Sequence, residues 1–370
     1  MIVSYITLQK GVNVGNTFLA SDNPFTLQFS YIPPQYIIRK ALTEEIVNDL
    51  DKKLPAFRCH FLTGVRGTGK SVLMADIAKS IGARKNWIAV DIADPTANIV
   101  KELAKGLCRI PELRLLFTEA KIDISVLGIK FSLDKADFIA SDEYDAMDIM
   151  LKTLKKAGKK VLVTIDEVTY NKEIGSFSHS LSAYARAGYE IYVIMTGLKE
   201  NIKAIKNDKS LTFLYRANEH ELEPLNTTSI ISTYSKVFNI PRNVAEEMAW
   251  LTKGYSFAFQ VIGYLYWNAL SESDTVQLSD LLDDIDHYLA EFAYDKIWSE
   301  LAPMERNVVK ALAASSTGVT ADIRQKLSMD SNKFGVYRER LMDKGIVDGS
   351  EHGRLKLKLP RFAEYALLQR

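Results

Sequence analysis

Residues 57–80 read FRCHFLTGVRGTGKSVLMADIAKS, and this stretch decides the fold. Its first part, residues 57–63, is an apolar run typical of a buried strand, and its last part, residues 71–80, has apolar residues at helical spacing. Between them, residues 64–71 have the form G-x-x-x-x-G-K-S/T. A strand, a glycine-rich loop and a helix in this order predict an α/β fold that binds an anion at the helix N-terminus.

The loop at residues 64–71 predicts a site for nucleotide phosphates. Glycine allows positive φ and leaves space beside the backbone, so that N–H groups can donate to the phosphates. Lys70 would reach the β- and γ-phosphates, and the Ser71 hydroxyl would bind Mg²⁺. A chance glycine-rich turn is the alternative, which the flanking strand and helix disfavour. The predicted ligands are ATP and Mg²⁺, and the predicted nucleotide-binding residues are Gly64, Val65, Arg66, Gly67, Thr68, Gly69, Lys70, Ser71 and Val72.

A second apolar run, KKVLVTIDE at residues 159–167, ends in two acidic residues. Strands buried on both faces are continuously apolar, and α/β sheets bind ligands at the carboxyl ends of their strands. We therefore expect Asp166 beside the loop, where it would hold Mg²⁺ directly or through water. Glu167 would accept a proton from the attacking water. An Asp-Glu pair alone is more often a solvated turn, and its combination with the loop favours the catalytic interpretation.

Length and composition are those of an ordinary globular protein. A chain of 370 residues predicts two or three domains, and 47% hydrophobic residues suffice for a sizeable core. The net charge of +1 excludes a strongly basic molecule but permits a local basic surface. Cys59 and Cys108 lack the spacing of a zinc site or a disulfide framework. The sequence shows neither a signal segment nor a membrane-spanning run, so we expect a cytoplasmic protein.

Strand and helix patterns alternate as far as about residue 225, which predicts a parallel sheet with helices on both faces. Residues 121–133 depart from this alternation, because apolar and polar residues alternate around Gly128 and predict an inserted β-hairpin. After the loop, the predicted strands are 87–92, 161–165, 191–195 and 220–222. The predicted helices between them are 99–107, 144–157 and 177–187.

The sequence after residue 225 predicts helices, first in a small lid and then in a terminal domain. The last seventy residues suit three short helices followed by a β-hairpin, which is the arrangement of a winged helix-turn-helix. Residues 301–370 contain thirteen Lys and Arg against eight Asp and Glu. A basic helix and a basic wing predict contact with duplex DNA through residues 331–361. Glu339 and Asp343 on the same helix leave open a module that contacts proteins or has a purely structural role.

These features together resemble the AAA+ and STAND groups of P-loop ATPases. The similarity is greatest to prokaryotic ATPases related to archaeal origin-recognition proteins, and it includes the strand end Met-Thr-Gly at residues 195–197. The segments NPFT at 23–26 and PPQYIIR at 33–39 are similar to the part of those proteins that lines the adenine pocket. The resemblance implies that Ile37, Ile38 and Arg39 lie there, with Ile38 in place of the usual glycine.

The resemblance also implies three roles outside the phosphate loop. Thr196 would be the sensor-1 residue that orients the lytic water or contacts the γ-phosphate, and the alternative is a threonine that closes a strand. Arg216 would be an arginine finger directed at a neighbour's nucleotide in a homo-oligomer, and the alternative is a surface salt bridge. Lys253 is the one cation near the position of a sensor-2 arginine, so slow hydrolysis is expected.

We therefore predict an α/β fold with a P-loop NTPase sheet, a helical lid and a winged helix-turn-helix domain. The expected function is Mg²⁺-dependent ATP hydrolysis coupled to movement of the lid and of a DNA-binding winged helix. The alternative is a STAND-like signalling switch with slow hydrolysis, whose winged helix binds protein partners or inhibits the ATPase. The predicted domains are an N-terminal segment lining the nucleotide site (1–40), an ATPase core with the inserted hairpin (41–225), the lid (226–299) and the winged helix (300–370).

Overall fold

A five-stranded parallel sheet forms the centre of one of two units of the chain. The computed structural model describes residues 22–28, 32–120, 122–123, 138–273 and 275–369. The unit that contains this sheet, called the sheet unit, comprises Arg39–Val65 and Lys70–Leu222. The second unit, called the helical unit, comprises Met1–Ile38, Arg66–Gly69 and Glu223–Arg370. The phosphate loop therefore contributes residues to both units.

The strands of the sheet unit form one large sheet and one small pair. They are β1 (Cys59–Thr63), β2 (Trp87–Ile92), β3 (Ile122–Asp123), β4 (Phe138–Ile139), β5 (Lys160–Ile165), β6 (Ile191–Gly197) and β7 (Asn218–Glu221). The large sheet has the order β2-β5-β6-β1-β7, and all of its neighbours are parallel. This topology confirms the predicted parallel sheet.

Helices cover both faces of this sheet, as the continuous apolar strands predicted. Phe61 and Val163 belong to a core cluster on one face, and Leu62 and Leu162 belong to a cluster on the other, because successive strand residues alternate sides. The helices are α1 (Lys40–Asp51), α2 (Lys70–Gly82), α3 (Ile99–Arg109), α4 (Pro111–Glu119), α5 (Glu143–Lys156), α6 (Lys172–Arg186), α7 (Lys199–Asn207) and α8 (Thr212–Tyr215).

The helical unit begins with an aromatic core. Phe25 stacks on Phe238 with ring centroids 5.5 Å apart, and a Cβ on Gly263 would lie 2.4 Å from the Phe25 ring, so only glycine fits there. Its first helices are α9 (Thr227–Phe238), α10 (Arg242–Thr252), α11 (Ser256–Glu272) and α12 (Leu282–Leu289), followed by a π-helical turn (Ala290–Tyr294) and α13 (Asp295–Ser299). A 3₁₀ turn, Leu278–Leu281, precedes α12.

The C-terminal elements agree with those predicted from the sequence. Three helices are followed by two short antiparallel strands, and an isolated bridge joins Val319 to Arg354. A final helix was not predicted. These elements are α14 (Pro303–Ala313), α15 (Thr320–Lys326), α16 (Ser331–Asp343), β8 (Val347–Asp348), β9 (Lys356–Leu357) and α17 (Phe362–Leu368).

The predicted hairpin at 121–133 lies outside the described residues, apart from two of them. Those two, Ile122–Asp123, pair in parallel with Phe138–Ile139. The predicted domain boundaries remain predictions. Within the described part of the chain, no helix is both long enough and apolar enough to cross a membrane.

Candidate nucleotide site

The sheet brings three predicted site segments to one edge. Strand β6 lies between β1, which leads into the phosphate loop, and β5, which leads into Asp166. Thr196 pairs with Leu62 of β1, and Met195 pairs with Ile165 of β5. Because these strands are parallel, their carboxyl ends share an edge, which is where ligands bind in α/β sheets.

Asp166, Glu167 and Thr196 form one hydrogen-bonded cluster at this edge. The buried Thr196 hydroxyl donates to Asp166 Oδ1, and the Glu167 N–H donates to Thr196 Oγ1 at 3.0 Å. A hydroxyl has a single proton to donate. In this arrangement Thr196 therefore orients the acidic pair, and contact with a γ-phosphate would require it to release Asp166.

Glu167 has a backbone conformation that is uncommon for a residue with a side chain. Its φ is +51°, in the left-handed region where residues other than glycine are strained. The neighbouring Val168 N–H donates to Thr196 O at 2.8 Å, which holds the chain in this turn. The side chain of Glu167 is consequently exposed at the edge of the sheet rather than buried with the strand.

Lys70 is anchored within the sheet-unit part of the loop. It is 9% exposed, and its Nζ donates to Gly64 O at 3.0 Å and to Val65 O at 3.1 Å. Ser71 and Val72 follow it in the first turn of α2, where backbone N–H groups lack helical partners. The lysine, the hydroxyl and the helix N-terminus thus occur together, as the sequence predicted.

The remaining loop residues, Arg66–Gly69, belong to the helical unit and have partners there. Gly67 and Gly69 have φ values of +79° and +88°, which fit the predicted need for glycine. Their neighbours accept hydrogen bonds through backbone carbonyls, because Tyr255 Oη donates to Arg66 O at 2.6 Å and Ser256 Oγ donates to Thr68 O at 2.8 Å. Sequence reasoning missed these two donors.

The N-terminal segment packs along helix α11 of the helical unit. Gln260 accepts from the Thr26 N–H at 3.1 Å and donates to Gln35 O at 2.8 Å. Ile38 is 57% exposed, and Arg39 precedes α1 without a side-chain cap. The adenine-pocket roles of Ile37, Ile38 and Arg39 therefore remain predictions from the resemblance.

Arg216 lies away from the cluster at the strand ends, and Lys253 belongs to the helical unit. Arg216 is exposed and precedes the amino end of β7, opposite the edge that carries Asp166. Within the described residues it forms no ion pair, so the surface salt bridge expected as its alternative is absent there. Lys253 directs its Nζ to Leu357 O and Leu359 O, each at 3.5 Å.

A stacked histidine pair, formed by the buried His60 and the half-buried His220, was also missed. His60 Nδ1 lies 3.1 Å from His220 Nε2, and the two rings stack on β1 and β7. Burial lowers the pKa of His60 to about 4, and the nearby His220 adds to this effect. Two isolated histidines 160 positions apart carry no sequence pattern, so only the strand register reveals the pair.

The donor set fits Mg²⁺ bound together with a nucleotide. Ser71 and Asp166 would supply two oxygen ligands, and Mg²⁺ usually takes one or two protein ligands with water and phosphate oxygens completing the shell. Among the described residues, no group of three or more His, Cys, Asp or Glu could hold a metal by itself. This chemistry favours an ion that is bound with the phosphates.

Comparisons with known proteins give similarity in fold. A protein-family profile described as a domain of unknown function (DUF8462) matches residues 291–366, and no curated protein matches the chain. The chain is similar to a Walker-type ATPase of Pyrococcus abyssi, with 18% identity and a TM-score of 0.63 over 89% of this chain and 95% of that chain. It is also similar to the ORC2 protein of Aeropyrum pernix in its ADPNP-ADP complexes, with 12% identity and a TM-score of 0.62 over 92% and 94% of the chains. The chain therefore has the α/β fold of a Walker-type P-loop ATPase, similar to archaeal origin-recognition proteins.

Proposed function

We propose that this protein binds Mg²⁺ and ATP through residues 64–71 and hydrolyses the ATP. The observation that carries the proposal is the meeting of Asp166, Glu167 and Thr196 at the carboxyl edge of the sheet, beside the strand that leads into the loop. An ordinary strand end would not need a strained, exposed glutamate next to a partly buried hydrogen bond between Thr196 and Asp166. Active sites are where such strain accumulates.

Each residue of the cluster has a role that its chemistry supports. When ATP binds, Lys70 Nζ would donate to phosphate oxygens instead of the carbonyls of the loop. Ser71 and Asp166 would bind the Mg²⁺ ion. Glu167 would take the proton of the attacking water, a step for which its exposed carboxylate is suited. Thr196 would hold the acidic pair in position. Arg216, at the opposite edge, would act only on the nucleotide of a second copy.

The test of ATP binding is substitution of Lys70. Lys70→Ala removes a positive charge that would donate to phosphates, and charged hydrogen bonds are worth roughly 1.5–3 kcal/mol, or about 10- to 150-fold in affinity. Titration with a fluorescent ATP analogue measures the change. Lys79→Ala, in the exposed last turn of the same helix, is the matched control and should bind as wild type. Equal affinity of both variants would contradict the proposed site.

We further propose that the C-terminal helices and strand pair form a DNA-contacting winged helix. Lys333, Arg340 and Lys358 are exposed, and none of them forms an ion pair with another described residue. A helix and a hairpin with such cations suit a groove and its flanking phosphates. The expected measurement is binding of duplex DNA that weakens steeply with salt.

A second candidate function, a nucleotide-dependent signalling switch, is favoured by the contacts of this region. Lys253 reaches the carbonyls at and beyond β9, and Lys344 donates to Glu300 O at 3.4 Å. These bonds join the C-terminal elements to the rest of the helical unit, as a self-inhibiting or partner-binding module would require. Absence of salt-dependent DNA binding by the full chain would favour this candidate over the first.

A further inference from the structure

The tip of the phosphate loop is held through its carbonyl groups. Tyr255 Oη, the Phe257 N–H and Ser256 Oγ donate to the carbonyls of Arg66, Gly67 and Thr68, at 2.6, 3.0 and 2.8 Å. The carbonyl and N–H of one planar peptide point in opposite directions. Donors that fix three successive carbonyls on one side therefore fix the following N–H groups on the other side, where phosphate-binding loops present them.

The loop glycines fit this arrangement closely. A Cβ on Gly67 would lie 2.2 Å from Tyr255 Oη, and one on Gly69 would lie 3.3 Å from Ser256 Oγ. Tyr255 is 5% exposed, so its ring has little space to move away. Glycine is thus required at position 67 for its positive φ and also for the approach of Tyr255. The conformation of the loop therefore includes the close contacts of Gly67 with Tyr255 and of Gly69 with Ser256.

An ion pair holds the same part of the loop from the side. Arg66 Nη2 lies 2.9 Å from Glu300 Oε1, and Arg66 Nε lies 3.3 Å from the same oxygen. Both side chains are about 30% exposed or less, so the pair is partly shielded from water. Glu300 lies between α13 and α14, and its carbonyl accepts from Lys344 at the end of α16. The loop residue is therefore connected with the C-terminal elements.

We propose that Tyr255, Ser256 and Glu300 are positioning residues for the phosphate loop, which make ATP affinity depend on the helical unit through the loop backbone. This inference rests on the proposed ATP binding at residues 64–71. In this proposal, the hydroxyl groups of Tyr255 and Ser256 and the carboxylate of Glu300 couple the helical unit to the bound nucleotide. A sensor-2 arginine would provide that coupling by contacting the γ-phosphate. Lys253 instead directs its ammonium group at the carbonyls of Leu357 and Leu359, each at 3.5 Å.

The test removes the hydroxyl groups singly and compares each variant with a matched one. Tyr255→Phe and Ser256→Ala should each weaken ATP-analogue binding roughly three- to tenfold, which is the usual scale for one hydrogen bond. The controls lose a hydroxyl in the same helical unit but away from the loop. Tyr234 donates to Phe259 O and Ser271 donates to Asn268 O, so Tyr234→Phe and Ser271→Ala should keep the wild-type affinity. Ser256→Thr retains a hydroxyl and should restore binding.

The ion pair is tested with a double-mutant cycle. If Glu300 acts by holding Arg66, then Arg66→Met and Glu300→Gln should each weaken binding, and the double variant should be no weaker than the worse single one. The same titrations are made with Lys70→Ala. An unmeasurable affinity of the wild type, or an affinity of Lys70→Ala equal to the wild type, would overturn the ATP site itself. Wild-type or tighter binding by Tyr255→Phe and Ser256→Ala, or equal losses in their controls, would overturn only the positioning role.

Discussion

The carboxyl edge of the sheet and the C-terminal cations differ in what determines the position of their side chains. At the sheet edge, Asp166 and Thr196 meet because β5 and β6 are neighbouring parallel strands. In the C-terminal region, by contrast, Arg338 donates to Gly349 O at 2.9 Å, and Lys356 and Arg354 both pair with Glu351. Topology alone is enough to bring strand ends together. Whether a surface cation is available to a ligand depends on its neighbours.

The largest expected effect concerns the sheet edge. Glu167→Gln keeps the size and the turn but removes the group that would accept the proton, so steady-state ATP turnover should fall by about 10²-fold or more while ATP binding is retained. Glu119→Gln, at the exposed end of α4, is the control and should leave turnover unchanged. Unchanged turnover in Glu167→Gln would show that topology had brought a carboxylate to this edge without a catalytic role.

The contrast also explains how much the sequence could predict. The strand at 87–92 was predicted with the bounds that the structure has, and the loop and the acidic strand end were identified, because local patterns determine these elements. The donors to the loop carbonyls, Tyr255 and Ser256, were missed because an isolated Tyr or Ser has no pattern. The bond from Arg338 to Gly349 O was also missed, since it joins residues that only the folded hairpin brings together.

The stacked pair of His60 and His220 provides a test, within the sheet unit, of an effect that comes from the surroundings of side chains. Burial lowers the folded-state pKa of His60 from 6.5 to about 4, and the charge of His220 adds to this, whereas Asp49 opposes it. Burial also lowers the pKa of His220, and Glu45 opposes that shift. The unfolded chain therefore binds protons first as the pH falls. The free energy of unfolding should therefore be unaffected by His60 above pH 6.5, and it should decrease as the pH falls from 6.5 to about 4.

For His60 alone this loss amounts to about 2 kcal/mol at pH 5. Urea unfolding at pH 7 and pH 5 measures it. His60→Phe keeps an aromatic ring and removes the titrating group, so its free energy of unfolding should change less with pH than that of the wild type. The exposed His179→Phe is the matched control and should follow the wild type. A wild-type pH dependence in His60→Phe would mean that the histidine pair does not control acid stability.

The smallest expected effect distinguishes cations with internal partners from exposed ones in the C-terminal region. Lys333 and Arg340 lie exposed on α16 without ion pairs among the described residues, whereas Arg338 and Lys356 are bonded within the same elements. Each phosphate contact changes the slope of log affinity against log salt by about one unit. The variant Lys333→Ala with Arg340→Ala should therefore lower the slope by about two units.

The double variant Arg338→Ala with Lys356→Ala also removes two positive charges, and it is the control for the effect of net charge on DNA binding. It should change the slope far less, because those side chains would first have to give up Gly349 O and Glu351. The measurement is binding of duplex DNA by the full chain across a salt series. Equal slope changes in both variants would mean that net charge alone matters and that internal partners are exchanged freely for phosphates. If the wild type itself binds no more tightly than the non-specific range of about 10⁻⁴ to 10⁻⁶ M, the cations do not serve DNA, and the switch function takes the place of the DNA-binding one.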